Sequence, residues 1–158
     1  MPTKVSLLKV IDHFKSQTHL GADTEFKGTA LSLICLASTS LVAVFDVFLL
    51  KGVPEFLDFL KYILIDSKID IIVHSFKTDQ YVLNYNFKAL DPLKMNHVIE
   101  LNELIKDPVS GKKLGMLQMS ELVLKRTYSK SYQRTNWLSR PLSDEKIYWA
   151  GLDGVIPL

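Results

Sequence analysis

The sequence predicts an α/β domain: a mixed sheet that begins as an antiparallel three-strand meander and is flanked by helices. Three observations carry that prediction. Between Leu20 and Val47 three apolar, strand-forming runs are separated only by Gly28-Thr29 and Ser38-Thr39-Ser40, and joints that short can connect only antiparallel neighbours. From Pro54 onward, helical periodicity alternates with one buried-looking run, Ile69–His74, the pattern of a sheet with covering helices. Finally, 158 residues with 47% hydrophobic and 23% charged side chains suffice for one real core and are too few for two. The chain therefore reads as a single domain over residues 1–158, without repeats, low-complexity segments or an internal linker.

In order, Val5–Gln17 places Val5, Leu7, Leu8, Val10, Ile11 and Phe14 on one helical face, with Lys and Asp opposite. Strands follow at Leu20–Phe26, Leu31–Leu36 and Leu41–Val47, the last of continuous apolar character. Pro54 opens a helix to Ile65, since proline's missing N–H is harmless in a first turn. Ile69–His74 is the fourth strand and Thr78–Tyr85 the next helix. Asn96 is placed to cap a helix over His97–Ile105. Pro108–Gly111 is a turn, Met116–Leu124 a helix, and Lys125–Pro141 an ordered loop without a period. Ser143 is a good N-cap for a final helix that carries Asp153.

The N-terminal stretch Met1–Asp12 lacks the pattern of a secretory leader. The only cysteine, Cys35, sits in an apolar run, which favours a reducing compartment and a plain core role for its thiol. The expectation is an intracellular protein, cytoplasmic or nuclear. Gly28–Phe45 is long enough to raise the question of a membrane helix, but its Ser and Thr content and strand formers point to two buried strands instead. No membrane partner is expected.

The stretch Gly21-Ala22-Asp23-Thr24-Glu25-Phe26 is the most informative. On a strand Asp23 and Glu25 point to the same face, where two like charges repel and raise each other's pKa. A divalent cation between them relieves this, and hard oxygen donors suit Mg²⁺ or Mn²⁺. The alternative is an exposed strand end with both carboxylates in water. Two further acids stand apart: Asp79, at the start of a helix whose dipole would stabilise it, and Asp153, in the last helix. Net charge is only +2, yet eight basic residues between Lys106 and Arg140 face just Asp107 and Glu121. Tyr128, Tyr132 and Trp137 interleave with that run, as in surfaces that stack unpaired bases; Trp137 reads more readily as an apolar anchor beneath the loop. His74 reads as a buried, hydrogen-bonded core residue.

These segments resemble the DEDD superfamily of 3′→5′ exonucleases, in the ribonuclease D, Werner and Nibbler-like branch. Gly21–Phe26 is similar to the first motif and Val73-His74-Ser75-Phe76-Lys77-Thr78-Asp79 to the second. The approach Lys130–Trp137 and then Arg140-Pro141-Leu142-Ser143 through Asp153 resemble the third. The resemblance implies a ribonuclease H-like exonuclease fold and hydrolysis of phosphodiester bonds at 3′ ends with two Mg²⁺ or Mn²⁺ ions. Asp23 would bridge both ions, Glu25 and Asp153 would complete one site, and Asp79 would hold the other ion through water. The implied substrate is single-stranded nucleic acid, RNA favoured, with Lys77, Lys130, Arg134 and Arg140 as phosphate contacts; Arg140 has a structural reading too, holding the loop against the last helix.

Two positions depart from the family pattern. The tyrosine that orients the attacking water lies four residues before the last Asp; here that position is Trp149, whose indole donates but cannot accept. Tyr148, at the spacing where a sister branch carries histidine, either takes over that catalytic role or is an ordinary aromatic. Family members also continue the last helix well beyond the final Asp, whereas Gly154 and Pro157 follow it here, so the sequence predicts a poorly anchored Asp153 in a fragment or a shortened form. The alternative function is a catalytically impaired exonuclease-like module that binds RNA or a protein partner.

Overall fold

The structure, a computed structural model, describes residues 4–90, 92–129, 131–132 and 134–158. Helix α1 (Lys4–Lys15) leads into β1 (His19–Lys27), β2 (Ala30–Ala37) and β3 (Val42–Asp46). These three strands form the expected antiparallel meander, with Asp23 opposite Cys35, Glu25 opposite Leu33, and Cys35 opposite Val44. Gly28 turns the first hairpin at φ +61°, a left-handed conformation that costs glycine little. A bulge between Glu25 and Phe26 shifts the register. Such an insertion re-aims the side chains beside it.

A short helix α2 (Val47–Leu50) precedes α3 (Pro54–Lys61), which begins on its proline and passes into a π-helical turn, Tyr62–Asp66. Strand β4 (Asp70–Val73) then lies parallel to β1, and α4 (Lys77–Asn86) follows it. The expected helix His97–Ile105 is corrected here. Val98–Glu100 is a fifth strand, β5, parallel to β4, and only Leu101–Leu104 is helical (α5). The apolar residues Val98, Ile99, Leu101 and Leu104 mimic a helical face, but β4 has a second edge whose N–H and C=O groups need partners. Asn96 caps nothing; its amide donates to the carbonyl of Ile65 at 2.6 Å. Beyond α6 (Met116–Met119) and a second π-helical turn, Ser120–Leu124, the expected loop runs to the final helix α7 (Asp144–Val155). Ser143 caps α7 by accepting from the Lys146 N–H.

The sheet order is β3-β2-β1-β4-β5. One face carries the main core, where Phe14, Phe45, Phe56, Phe59 and Phe87 pack with ring centroids between 5.2 and 6.5 Å apart. Each such ring contributes about 1.5–3 kcal/mol on burial. The other face is covered by α7 and by Trp137, against Leu33 and Cys35. Among the described residues no helix is long and apolar enough to cross a membrane.

The poor anchoring expected for Asp153 is also corrected. Helix α7 does not depend on length, because it lies directly on the meander. A Cβ built on Gly154 would stand 3.3 Å from the Cβ of Cys35, and one built on Gly21 would stand 2.1 Å from the carbonyl oxygen of Gly154. The first motif's glycine is thus the floor on which the last helix rests. Gly21→Ala should force β1 and α7 apart and destabilise the fold by about 3 kcal/mol, read as a lower urea midpoint.

Candidate active site

Side chains on β1 alternate, so Leu20 and Ala22 enter the phenylalanine core while Asp23 and Glu25 turn to the α7 face. Helix α7 brings Asp153 to the same place. One carboxylate oxygen from each of Asp23, Glu25 and Asp153 lies within 4.8 Å of the others. Asp79 reaches the same cavity from the first turn of α4, held by Thr24, whose hydroxyl donates to its carboxylate at 2.6 Å. The four acids predicted from the sequence therefore line one cavity of about 460 Å³.

The entry to α4 is fixed by an unforeseen clamp. Ser75 adopts φ +58°, an uncommon conformation for a non-glycine residue. The Glu100 carboxylate accepts from the Ser75 and Phe76 N–H groups at 2.7 and 2.9 Å, and Asn102 donates to the Ser75 hydroxyl at 2.6 Å. Because Glu100 ends β5, the missed strand is what sets the position of Asp79. His74 is a structural residue, its Nε2 2.8 Å from the carbonyl of Leu114.

Electrostatics distinguish this cluster from an ordinary acidic surface. Burial, then the charges of Asp79, Glu25 and Asp153, push Asp23 well above the usual carboxylate range. Burial and the charges of Asp153 and Asp79 raise Glu25 to about 8, partly opposed by the Trp137 indole. Asp79 is also raised by burial, against the hydrogen bond from Thr24. Three oxygen donors in mutual reach, two of them, Asp23 and Glu25, strongly desolvated, fit a hard divalent cation such as Mg²⁺ or Mn²⁺; Asp23, Glu25 and Asp153 would hold it, with Asp79 alongside.

The aromatic wall differs from expectation. Trp149 lines the cavity, with Tyr132 stacked on it at 5.9 Å and Tyr128 at 6.2 Å. Of the two readings of Tyr148, the catalytic hydroxyl is corrected in favour of the ordinary aromatic: it is 64% exposed, meets Trp149 edge-on and is not part of the cavity wall. One helical step turns a side chain by about 100°, which separates the two neighbours. The phenols that do line the cavity belong to Tyr128 and Tyr132, and burial with the charges of Asp153 and Asp23 raises the pKa of Tyr128. Trp137 is buried under the loop, as its reading as an anchor requires.

Among the predicted phosphate contacts, Lys77 and Arg134 are exposed and outside the cavity wall, and Lys130 lies outside the described residues. Arg140 is corrected, because all five of its N–H donors are engaged within the protein. They reach both carboxylate oxygens of Asp46 at 2.8 and 3.0 Å, the carbonyls of Trp137 and Ser139 at 2.8 and 2.9 Å, and the Ser32 hydroxyl at 3.0 Å. A phosphate would find no donor left.

Comparison with known proteins agrees with this geometry. The profile of a family described as 3′-5′ exonuclease matches residues 2–158. Escherichia coli RNase D, an exoribonuclease involved in structured RNA processing, superposes with a TM-score of 0.81 at 25% identity, over 99% of this chain and 41% of that one. The Aedes aegypti Nibbler EXO domain gives 0.80 at 21% identity, covering 99% and 82%. Brucella melitensis NrnC with bound Mg²⁺ gives 0.68 at 18%, covering 90% and 69%. The last two, at such identity, show the fold alone. The chain spans less than half the length of RNase D. Against curated protein sequences it shows no match.

The raised carboxylates make stability depend on pH, and a cation bound between them would add to it. Below about pH 4.5 Glu25 is protonated whether folded or unfolded; between there and about 8 the unfolded chain releases a proton that the fold retains. Metal-free stability should therefore fall as pH rises through that window and level off above it. Mg²⁺ should raise the Tm more near pH 8 than near pH 4.5, because protons must leave before it binds. Thermal melts with and without Mg²⁺ across that range check both statements.

Proposed function

The chain belongs to the 3′-5′ exonuclease family, and on that premise we propose that it is a divalent-metal-dependent hydrolase that removes nucleotides from the 3′ ends of single-stranded nucleic acid, RNA in preference to DNA. The observation that carries this reading is the convergence of Asp23, Glu25, Asp79 and Asp153 in one cavity. Preference for RNA is supported by the likeness to RNase D, described as an exoribonuclease.

When bound, two Mg²⁺ or Mn²⁺ ions supply charge stabilisation and an activated water for phosphodiester cleavage. The chain's own residues do the rest. Asp23, Glu25 and Asp153 would offer carboxylate oxygens as ligands, Asp23 and Glu25 losing the protons that burial favours in the empty site. Thr24 keeps the Asp79 carboxylate turned into the cavity. Tyr132 and Trp149 present a stacked aromatic wall, against which a terminal base can lie. The exposed Lys77 and Arg134 serve the flanking phosphates as mobile, solvated charges.

Asp23→Asn should abolish release of nucleotides from a 3′-labelled RNA oligonucleotide in Mg²⁺, by more than about 100-fold, since even a residue behind a metal ligand is worth 10–100-fold. The same variant should melt at a higher temperature than the parent without metal at neutral pH, because Asn is buried without the cost of desolvating or protonating a carboxylate. Parent-like cleavage by Asp23→Asn would rule out the assignment, and a DNA oligonucleotide of the same sequence measures the preference for RNA.

A second reading rests on Trp149, an N–H donor without an acceptor at the position where the resembling family carries tyrosine. On that reading the domain binds RNA or a protein partner without cutting. Calorimetry with Mn²⁺ followed by a nuclease assay on the same sample separates the two readings. Metal uptake without cleavage, unrelieved by Trp149→Tyr, favours the binding module; cleavage by the parent favours the enzyme.

A further inference from the structure

Trp137 is 3% exposed, yet its ring lines the carboxylate cavity. Its indole Nε1 is the one buried side-chain nitrogen or oxygen, among the described residues, without a hydrogen-bond partner. Leaving a buried donor unsatisfied is costly, and native folds rarely do so without a reason. The indole and the Glu25 carboxylate line the same cavity, and Glu25 stands opposite Leu33, in the cluster where the indole packs; the N–H lies near enough to favour the charged carboxylate without the geometry of a full hydrogen bond.

We propose that Trp137 is a positioning residue whose indole N–H closes onto the Glu25 carboxylate when a divalent cation loads the cavity, fixing the orientation in which Glu25 reaches the metal. The inference rests on reading the cavity as a metal-dependent nuclease site.

Three features support it. First, the Nε1 atom has essentially no accessible surface, so an incoming nucleotide cannot be its partner; an adjacent protein acceptor can. Second, the indole is held from behind. Its ring packs with Leu33, Cys35 and Ala150, and its backbone carbonyl accepts from the Ser32 hydroxyl at 2.6 Å and from Arg140 at 2.8 Å. Arg140 is in turn tied to Asp46 on β3. Trp137 is therefore fixed to the meander, and the Glu25 side chain, with more rotatable bonds, is the part that adjusts. Third, a carboxylate that gives one oxygen to a metal leaves its other oxygen in need of a donor, and such partners orient the ligand and tune affinity.

The test follows the two tryptophan side-chain N–H signals by ¹H–¹⁵N NMR while Mg²⁺ is added, with calorimetry on the same sample; Trp137→Phe assigns the signals and keeps an aromatic ring in the pocket. The Trp137 signal should move downfield with the calorimetric midpoint, and Trp137→Phe, titrated at a temperature where its metal-free melt shows it folded, should bind Mg²⁺ about 10-fold more weakly. If Mg²⁺ binds while the Trp137 signal stays still, or Trp137→Phe binds as the parent does, the indole merely packs; this proposal fails and the nuclease reading stands. If the parent chain takes up no Mg²⁺, the nuclease reading falls and this inference falls with it.

Discussion

The structure depends on holding together carboxylates that repel one another. Asp23 and Glu25 leave the same face of β1, and Asp153 is pressed against them by α7. Without a cation this is a destabilised arrangement, and burial makes it more so, since desolvation is the largest cause raising Asp23, Glu25 and Asp79 alike. The rest of the fold must over-determine the cluster. It does so with a five-stranded sheet, a phenylalanine core on the far face, and a backbone contact between Gly21 and Gly154 that admits no side chain. Strain of this kind commonly marks functional sites.

Around the acids, polar residues act mainly as fixtures. Arg140 joins β2, β3 and the long loop through five hydrogen bonds, and thereby sets the depth of Trp137. Glu100 and Asn102 hold Ser75 in its unusual backbone conformation and so place the start of α4. Thr24, between the two acids of β1 in sequence, reaches across to Asp79. Residues that look available for a substrate when read singly are committed to geometry when read together.

Much of this was legible in the chain. The meander was, because strand period and short joints leave one solution. The pair Asp23 and Glu25 was, because alternation on a strand fixes their common face. The cap at Ser143 and the proline start of α3 were, since both are local chemistry. Strand β5 was not: three residues are too few to show a period, and the neighbouring leucines completed a false helical face. Arg140 and Tyr148 misled for a related reason, since which way a side chain is drawn depends on partners distant in sequence; Asp46 and Ser32 lie 94 and 108 positions from Arg140.

By itself, then, the sequence determined the meander, the face shared by Asp23 and Glu25, and the residue types from which a cation site can be made, because these follow from backbone period and side-chain chemistry within a few residues. Only the tertiary structure decided that Asp79 and Asp153 join the pair, that Trp149 rather than Tyr148 meets the cavity, and that Trp137 brings an unbonded donor beside Glu25. Those outcomes depend on how β4, β5 and α7 pack, and packing is a property of contacts between segments that no local stretch of sequence contains.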